Sequence, residues 1–114
     1  MSTDTLSPEI ARRLRPLGTT IQGIVEQVAA WFCVSQDEIM SHSRMRKYAW
    51  PRHVAMSFAL EMGCGSTLFI GKQFNRDHSS VIYAARQVRD YEQQSPQLAA
   101  ELNQLRTKIK EQQA

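Results

Sequence analysis

The 114-residue sequence lacks any long hydrophobic run, which argues against a membrane-spanning helix and a secretory leader. No apolar stretch approaches the roughly 18 residues that cross a bilayer, and no apolar segment follows the N-terminus as in a signal peptide. The content of 42% hydrophobic and 22% charged residues is ordinary for a globular chain. We therefore expect a cytoplasmic protein with at most one domain and a single modest core.

Cysteine is scarce, and metal-binding spacings are missing. Cys33 and Cys64 are far apart and lie in apolar contexts, which favours buried free thiols over a disulfide. Neither they nor the three histidines show a Cys-x-x-Cys or His-x-x-x-His spacing for zinc. The segment from Gly65 to Lys72 resembles a P-loop, but it has five residues between its glycines where four are needed, and Gln73 replaces the magnesium-binding hydroxyl. We expect no metal, nucleotide or other cofactor, and no enzymatic activity.

Acidic residues are missing from the centre of the chain, between Ile39 and Leu60. Over residues 39–89, eight basic and two acidic residues give a net charge of +6, whereas the whole chain carries +3. A central field of one sign favours a polyanionic partner, although a solvated basic face without a specific partner is the alternative. The basic residues of the acid-free segment are Arg44, Arg46, Lys47 and Arg52.

Apolar residues recur at helical spacing along most of the chain, and no strand-like alternation of useful length is present. Residues 1–18 are predicted to form an irregular or partly helical leader, with a short helix starting at Ser7. Thr20 opens the first long helix, in which Ile24 and Val28 belong to the apolar stripe. Ser35 and Glu38 form a capping box, which predicts the start of a second, short helix.

Residues 41–47 have no periodicity, and we interpret them as a polar, basic loop. A third helix is predicted from about residue 47 to residue 62, with Gly63 after its last turn. Because proline is tolerated only in a first helical turn or at a kink, Pro51 favours a proper start near Ala49 or Trp50.

Two short helices joined by a tight turn form a candidate helix-turn-helix. Ser66 caps the first over residues 67–74, Asn75 and Arg76 form the turn, and Asp77 caps the second. The start of the second helix is the end from which helix-turn-helix proteins contact base edges. Its polar side chains are short, so they reach bases only if the helix end enters a groove. The basic loop would then supply phosphate contacts or place an arginine in a minor groove. The polar residues at this helix start are Asp77, His78, Ser79 and Ser80.

A last helix is predicted over residues 96–112, after a second Ser-Pro start signal. Its apolar stripe fits packing within the domain and docking to another chain about equally well. An alternative function is therefore a helical protein–protein interaction module that uses its basic face and this C-terminal helix. The stripe consists of Leu98, Leu102, Leu105 and Ile109.

The order of these motifs resembles a known family, the C-terminal DNA-binding domain (domain IV) of the bacterial chromosomal replication initiator DnaA. The family pattern at the second helix is approximately Gly-Arg-Asp-His-Thr-Thr-Val, and the similarity runs from about Thr20 to Tyr91. The resemblance implies an all-α, Trp-repressor-like helical domain with a helix-turn-helix, which occupies residues 19–114 and binds a short asymmetric DNA box as a monomer. The matching motifs are Arg44-x-Arg46, Pro51-Arg52, Ile70-Gly71, Phe74 and Arg76-Asp77-His78-Ser79-Ser80-Val81.

The resemblance also implies roles for individual residues. The residues from Asp77 to Ser80 would enter the major groove, Arg44 would insert in the minor groove, and Arg52 would contact the DNA backbone or bases. Two serines replace the threonines of the family and lose methyl contacts to thymine, so we expect a box related to that of the family but not necessarily the same one. The predicted DNA-binding residues are Arg44, Arg46, Lys47, Arg52, His53, Arg76, Asp77, His78, Ser79 and Ser80.

The family carries an ATPase domain ahead of this segment, whereas only about 19 residues precede it here. We therefore expect a stand-alone copy of the DNA-reading module, associated with the nucleoid. Its partner would be double-stranded DNA, and its role would be regulation of replication or of transcription.

Overall fold

The computed structural model describes residues 19–113, with side chains described through residue 112, and this part of the chain is folded into six α-helices without strands. The predicted all-α class is confirmed, whereas the predicted leader at residues 1–18 lies outside the described residues. None of the described helices is long and apolar enough to cross a membrane. The helices are α1 (Ile21–Phe32), α2 (Gln36–Met40), α3 (Arg46–Glu61), α4 (Thr67–Gln73), α5 (His78–Gln94) and α6 (Pro96–Gln113).

The first two helices begin where local capping predicts. Thr20 accepts a hydrogen bond from the Gly23 N–H at 3.0 Å and caps α1. At α2, the Ser35 hydroxyl accepts from the Glu38 N–H at 3.0 Å, and the Glu38 carboxylate accepts from the Ser35 N–H at 2.9 Å. This reciprocal pair is the predicted capping box.

Helix α3 begins earlier than its proline suggests, at Arg46, so the basic loop spans residues 41–45 rather than 41–47. The N–H groups of Tyr48 and Ala49 both donate to the Met45 carbonyl, at 2.9 and 2.8 Å, and close the first turn before the proline. Pro51 therefore removes one helical donor without preventing the turn that precedes it. The start predicted at about residue 47 is confirmed to within one residue, whereas the alternative start near Ala49 or Trp50 was wrong for this reason.

Helix α3 lies at the centre of the core and packs against α1, α2, α4 and α5. Val54, Ala55 and Phe58 are fully buried. The neighbouring Met56 and Ala59 are buried as well, so α3 is covered on more than one face. The core also takes the predicted stripe of α1, which includes Ile24 and Val28, and three residues of α5: Val81, Ala84 and Val88.

Helix α6 closes the core by packing against α1 and α5. Leu102, Leu105 and Ile109 are at most 1% exposed, so this stripe is used inside the domain and is not a free docking face. Arg106 secures the same helix from outside: its guanidinium forms ion pairs with Glu61 of α3 and Glu92 of α5, at 2.8 and 2.7 Å. The C-terminal helix therefore stabilises α3 and α5, the two helices that carry most of the candidate site.

The two cysteines are free, as predicted, but they are not both buried. Cys33 is exposed, because it ends α1 in a left-handed conformation with φ of 58°. Cys64 is half-buried, and burial raises the pKa of its thiol.

Candidate nucleic-acid interface

Helices α4 and α5 form the predicted helix-turn-helix, and their turn is unusually close to α4. The Arg76 N–H donates to the Gly71 carbonyl at 2.7 Å, and Asn75 adopts a left-handed φ of 56°, which asparagine tolerates better than most residues. A Cβ atom at Gly71 would lie 2.7 Å from the Arg76 carbonyl oxygen. Glycine at this position therefore allows the tight turn that sets where α5 begins.

The start of α5 presents a compact polar surface. Three hydrogen bonds converge on Asp77 Oδ1: from the Ser79 hydroxyl at 2.9 Å, the Ser80 hydroxyl at 3.1 Å and the Ser80 N–H at 3.3 Å. The Ser79 hydroxyl and then the Ser80 donors lower the pKa of Asp77, which keeps the cap charged. His78 and Ser79 are exposed and Ser80 is half-buried, so the structure brings all four predicted residues together on one helix end.

The predicted basic cluster is divided in the structure. Arg44 is exposed in the loop before α3 and lines a depression together with Tyr83 of α5. Arg46 instead lies over the rings of Trp50 and Tyr91, at 5.7 and 5.4 Å from their centroids. Tyr91 follows His78 by thirteen helical residues, a distance of about 20 Å along α5. The guanidinium of Arg46 is thus far from the start of α5.

Lys47 is exposed beside Arg46, and its ammonium group lies 5.6 Å from the Tyr48 ring centroid. These two residues extend the basic surface along the first turn of α3.

Arg52 is the predicted site residue whose placement differs most from a surface contact, since it is only 4% exposed. Its Nε donates to the Ile39 carbonyl at 2.6 Å and its Nη1 to the Ser43 carbonyl at 2.9 Å. Burial, with a smaller effect of Arg76, lowers the pKa of Arg52. The guanidinium is therefore occupied in holding the end of α2 and the basic loop.

Arg76 connects the helix-turn-helix turn to the same loop. Its Nη2 donates to the Ser41 carbonyl at 2.7 Å, and its Nη1 donates to the Phe74 carbonyl at 2.9 Å. His42 and Asn75 add a second contact between loop and turn, 3.4 Å apart. Among the residues that the structure describes, both ion pairs involve Arg106, so neither Arg52 nor Arg76 is neutralised by a carboxylate.

Between the basic loop and α5 runs a depression that we call the cationic groove. It continues to Ser79 and Ser80 at the start of α5. Since it concentrates guanidinium groups beside exposed helix-end donors, the groove has the electrostatics and the hydrogen-bonding groups for a polyanion. It is lined by Arg44, Arg52, His53, Arg76 and Tyr83.

His53 lies in the wall of this groove and contacts the Tyr83 ring edge-on, with the centroids 5.7 Å apart. Burial first, and then nearby arginines, of which Arg52 is the strongest, lower the pKa of His53 from its usual 6.5. His53 is therefore neutral near pH 7, where it acts as a hydrogen-bonding group rather than as a cation.

Tyr83 is the groove residue that the sequence analysis missed. It is 55% exposed and stands one helical turn after Ser79, on the side of α5 away from Val81 and Ala84. The sequence pattern does place Tyr83 at the surface. The apolar residues of α5 recur at helical spacing and leave positions 82 and 83 on the outer face of the helix.

No group of three or more histidine, cysteine or acidic side chains within residues 19–112 is arranged to hold a metal ion.

Comparisons with known proteins agree with this architecture. A family model described as "Bacterial dnaA protein helix-turn-helix" matches residues 21–88. A crystal structure of a DNA replication initiation factor superposes with a TM-score of 0.77 and 24% identity, over 92% of this chain and 32% of that one. At this identity the superposition shows a shared fold.

Similar sequences are chromosomal replication initiator proteins DnaA. The protein from Wolbachia pipientis wMel is 36% identical over 92 residues, which are 80% of this chain and 20% of that protein. The protein from Treponema pallidum is 31% identical over 108 residues, 94% of this chain and 23% of that protein. DnaA 1 from Chlamydia pneumoniae is 40% identical over 83 residues, 73% of this chain and 17% of that protein. The chain thus spans about a fifth of the length of these relatives.

Proposed function

Since the chain belongs to the bacterial DnaA helix-turn-helix family, we propose that it binds double-stranded DNA sequence-specifically, at a site resembling a DnaA box. The observation that carries this proposal is the cationic groove beside the exposed start of α5, with His78 and Ser79 at its end. A helix-turn-helix is a non-catalytic fold, which fits binding rather than an enzymatic reaction.

In the proposed complex, the start of α5 lies in the major groove. His78 and Ser79 read base edges, since both are exposed at the tip of the helix. Asp77 acts mainly through its cap, because its Oδ1 already accepts three hydrogen bonds that orient the two serines. Tyr83 lies further along the same face and meets the edge of that groove.

The basic loop serves the neighbouring minor groove. Arg44 is exposed at the open side of the cationic groove, and arginine is the side chain best suited to a narrow, electronegative minor groove. Arg46 and Lys47, at the first turn of α3, contact phosphates. These two contacts should contribute a slope of about −1.8 in log K against log salt concentration.

We place this binding in the initiation of replication or its control, with regulation of transcription as the second context. Family membership supports a cytoplasmic, nucleoid-associated protein. We also propose a monomer, because the stripe of Leu102, Leu105 and Ile109 is covered within the chain. The same burial disfavours an interaction module that docks through α6.

The decisive experiment selects bound duplexes from a random library and then measures affinity for the enriched site by fluorescence anisotropy. His78→Ala should lower affinity for that site about 5- to 150-fold and affinity for random DNA much less. Gln104→Ala, on an exposed residue of α6, is the matched control and should leave both affinities unchanged. A library without an enriched motif, or equal losses on both DNAs for His78→Ala, would contradict sequence-specific reading.

A further inference from the structure

The buried Arg52 and the half-buried Arg76 of the cationic groove both donate hydrogen bonds to the backbone of the basic loop. Arg52 reaches from α3 to the Ile39 and Ser43 carbonyls, and its Nη2 lies 3.4 Å from the Glu38 carbonyl oxygen. Arg76 reaches from the helix-turn-helix turn to the Ser41 carbonyl. One short segment of backbone is therefore tied to two separate elements.

The chemistry of Arg52 is unusual for a stabilising core residue. A guanidinium that is 4% exposed and has only neutral oxygen partners is expensive to bury. Arginine supplies a rigid fork of donors, which holds several carbonyls in one geometry and which lysine cannot reproduce.

The basic loop also forms hydrogen bonds within itself. The Ser43 N–H donates to the Ser41 hydroxyl at 3.3 Å, and the Met45 N–H donates to the Ser43 hydroxyl at 3.2 Å. Arg44 lies between these two bonds, with its side chain exposed. The backbone that carries Arg44 is thus set before any ligand arrives.

We propose that Arg52 and Arg76 are positioning residues that lock the basic loop to the helix-turn-helix, so that Arg44 and the start of α5 act as one rigid reader of two adjacent grooves. This inference rests on the proposed function. A loop that is already ordered loses less conformational entropy on binding. These hydrogen bonds of Arg52 and Arg76, which we call the clamp, also set the distance between Arg44 and the start of α5. The clamp therefore determines which spacing between the minor-groove and major-groove contact sites on the DNA is recognised.

A thermodynamic cycle on the enriched duplex tests the clamp. Arg44→Ala should weaken binding about 10-fold in the wild-type background, but only about 2-fold once Arg76→Lys has released the loop, because neighbouring sites in one network are not additive. Arg76→Lys keeps the charge, so loss of a simple phosphate contact does not explain the difference. Arg89→Lys, on an exposed arginine of α5 beside Glu92 and Arg106, is the control and should leave the Arg44→Ala loss at 10-fold.

A second measurement follows the free protein. Hydrogen exchange by NMR should show faster exchange of the Ser43 and Met45 amides in Arg76→Lys and in Arg52→Lys, at conditions where the core amides of α3 stay protected. Global unfolding would accelerate both groups and is thereby separated from release of the loop.

Unchanged exchange of the loop amides, or additive losses in the cycle, would overturn the positioning role while leaving DNA binding intact. A wild-type chain that selects no duplex would overturn the proposed function itself. Coupled losses together with faster loop exchange would support the two-groove reader.

Discussion

Gly71→Ala is the substitution whose effect the structure defines most directly. A Cβ atom at this position would lie 2.7 Å from the Arg76 carbonyl oxygen and 3.0 Å from the carbonyl carbon and oxygen of Asp77. All three atoms belong to the backbone of the turn, so rotation of a side chain cannot relieve the clash. The hydrogen bond from the Arg76 N–H to the Gly71 carbonyl at 2.7 Å further limits how far the turn can move.

Two opposing contributions set the magnitude. Overpacking of a tight site destabilises by about 1–3 kcal/mol, and a clash with backbone belongs in the upper half of that range. Alanine regains about 1 kcal/mol of helix propensity over glycine in α4. The net loss should be about 1–2 kcal/mol, which for a domain of this size lowers Tm by roughly 5–10 °C.

Urea and thermal unfolding, followed by circular dichroism, measure this loss. Gln73→Ala, on an exposed residue of the same helix, is the control and should change stability by less than about 0.5 kcal/mol. Since the clash displaces the start of α5, specific DNA affinity should fall together with stability. A Gly71→Ala protein as stable as the wild type would show that the turn relaxes freely, and the role assigned to glycine would be refuted.

Three further perturbations test other parts of the structure. Arg106→Leu should lower the free energy of unfolding by about 2 kcal/mol, measured in urea, because half-buried Glu92 loses a charged double hydrogen bond. Burial lowers the pKa of His53 below 6.5. As pH falls, the unfolded chain therefore takes up a proton on this residue before the folded chain does, and the free energy of unfolding decreases below about pH 6.5. His53→Gln should flatten this pH dependence, measured by urea unfolding at several pH values. Ser66→Ala should cost about 1 kcal/mol in urea unfolding, because its hydroxyl caps α4 by accepting from the Phe69 N–H at 3.1 Å.

Each of these has its own check. Glu61→Gln should cost less than Arg106→Leu, because the Glu61 side chain is 43% exposed; the reverse order would contradict the assignment of the ion pairs. A His53→Gln protein with the pH dependence of the wild type would assign that dependence to other groups. Ser66→Asp preserves a cap acceptor and should retain most of the stability that alanine loses; an equal loss for both would exclude the cap as the cause.

The helix boundaries show how far local sequence patterns extend. The caps at Thr20, Ser35, Ser66 and Asp77 are all confirmed, because a capping hydrogen bond joins residues two or three positions apart. The start of α3 lies one residue from the predicted residue 47, whereas the later start that Pro51 favoured was wrong. The first turn depends on the Met45 carbonyl rather than on the proline.

The same distinction between local and long-range interactions applies to the candidate site. The sequence indicated the helix-turn-helix and the polar start of α5, since turn chemistry and charge are local properties. It did not indicate that Arg46 lies over Trp50 and Tyr91, nor that Tyr83 borders the cationic groove. Those arrangements depend on how α3 packs against α5.

The sequence by itself thus determined the all-α class, the helix-turn-helix and the basic character of its neighbouring loop. Only the tertiary structure decided what the arginines do. Arg52 meets carbonyls 9 and 13 residues away, and Arg76 meets the carbonyl of Ser41, 35 residues away. The physical reason is that a guanidinium on a basic segment has the same composition and charge whether it faces solvent or holds backbone, and the packing of the helices selects between the two.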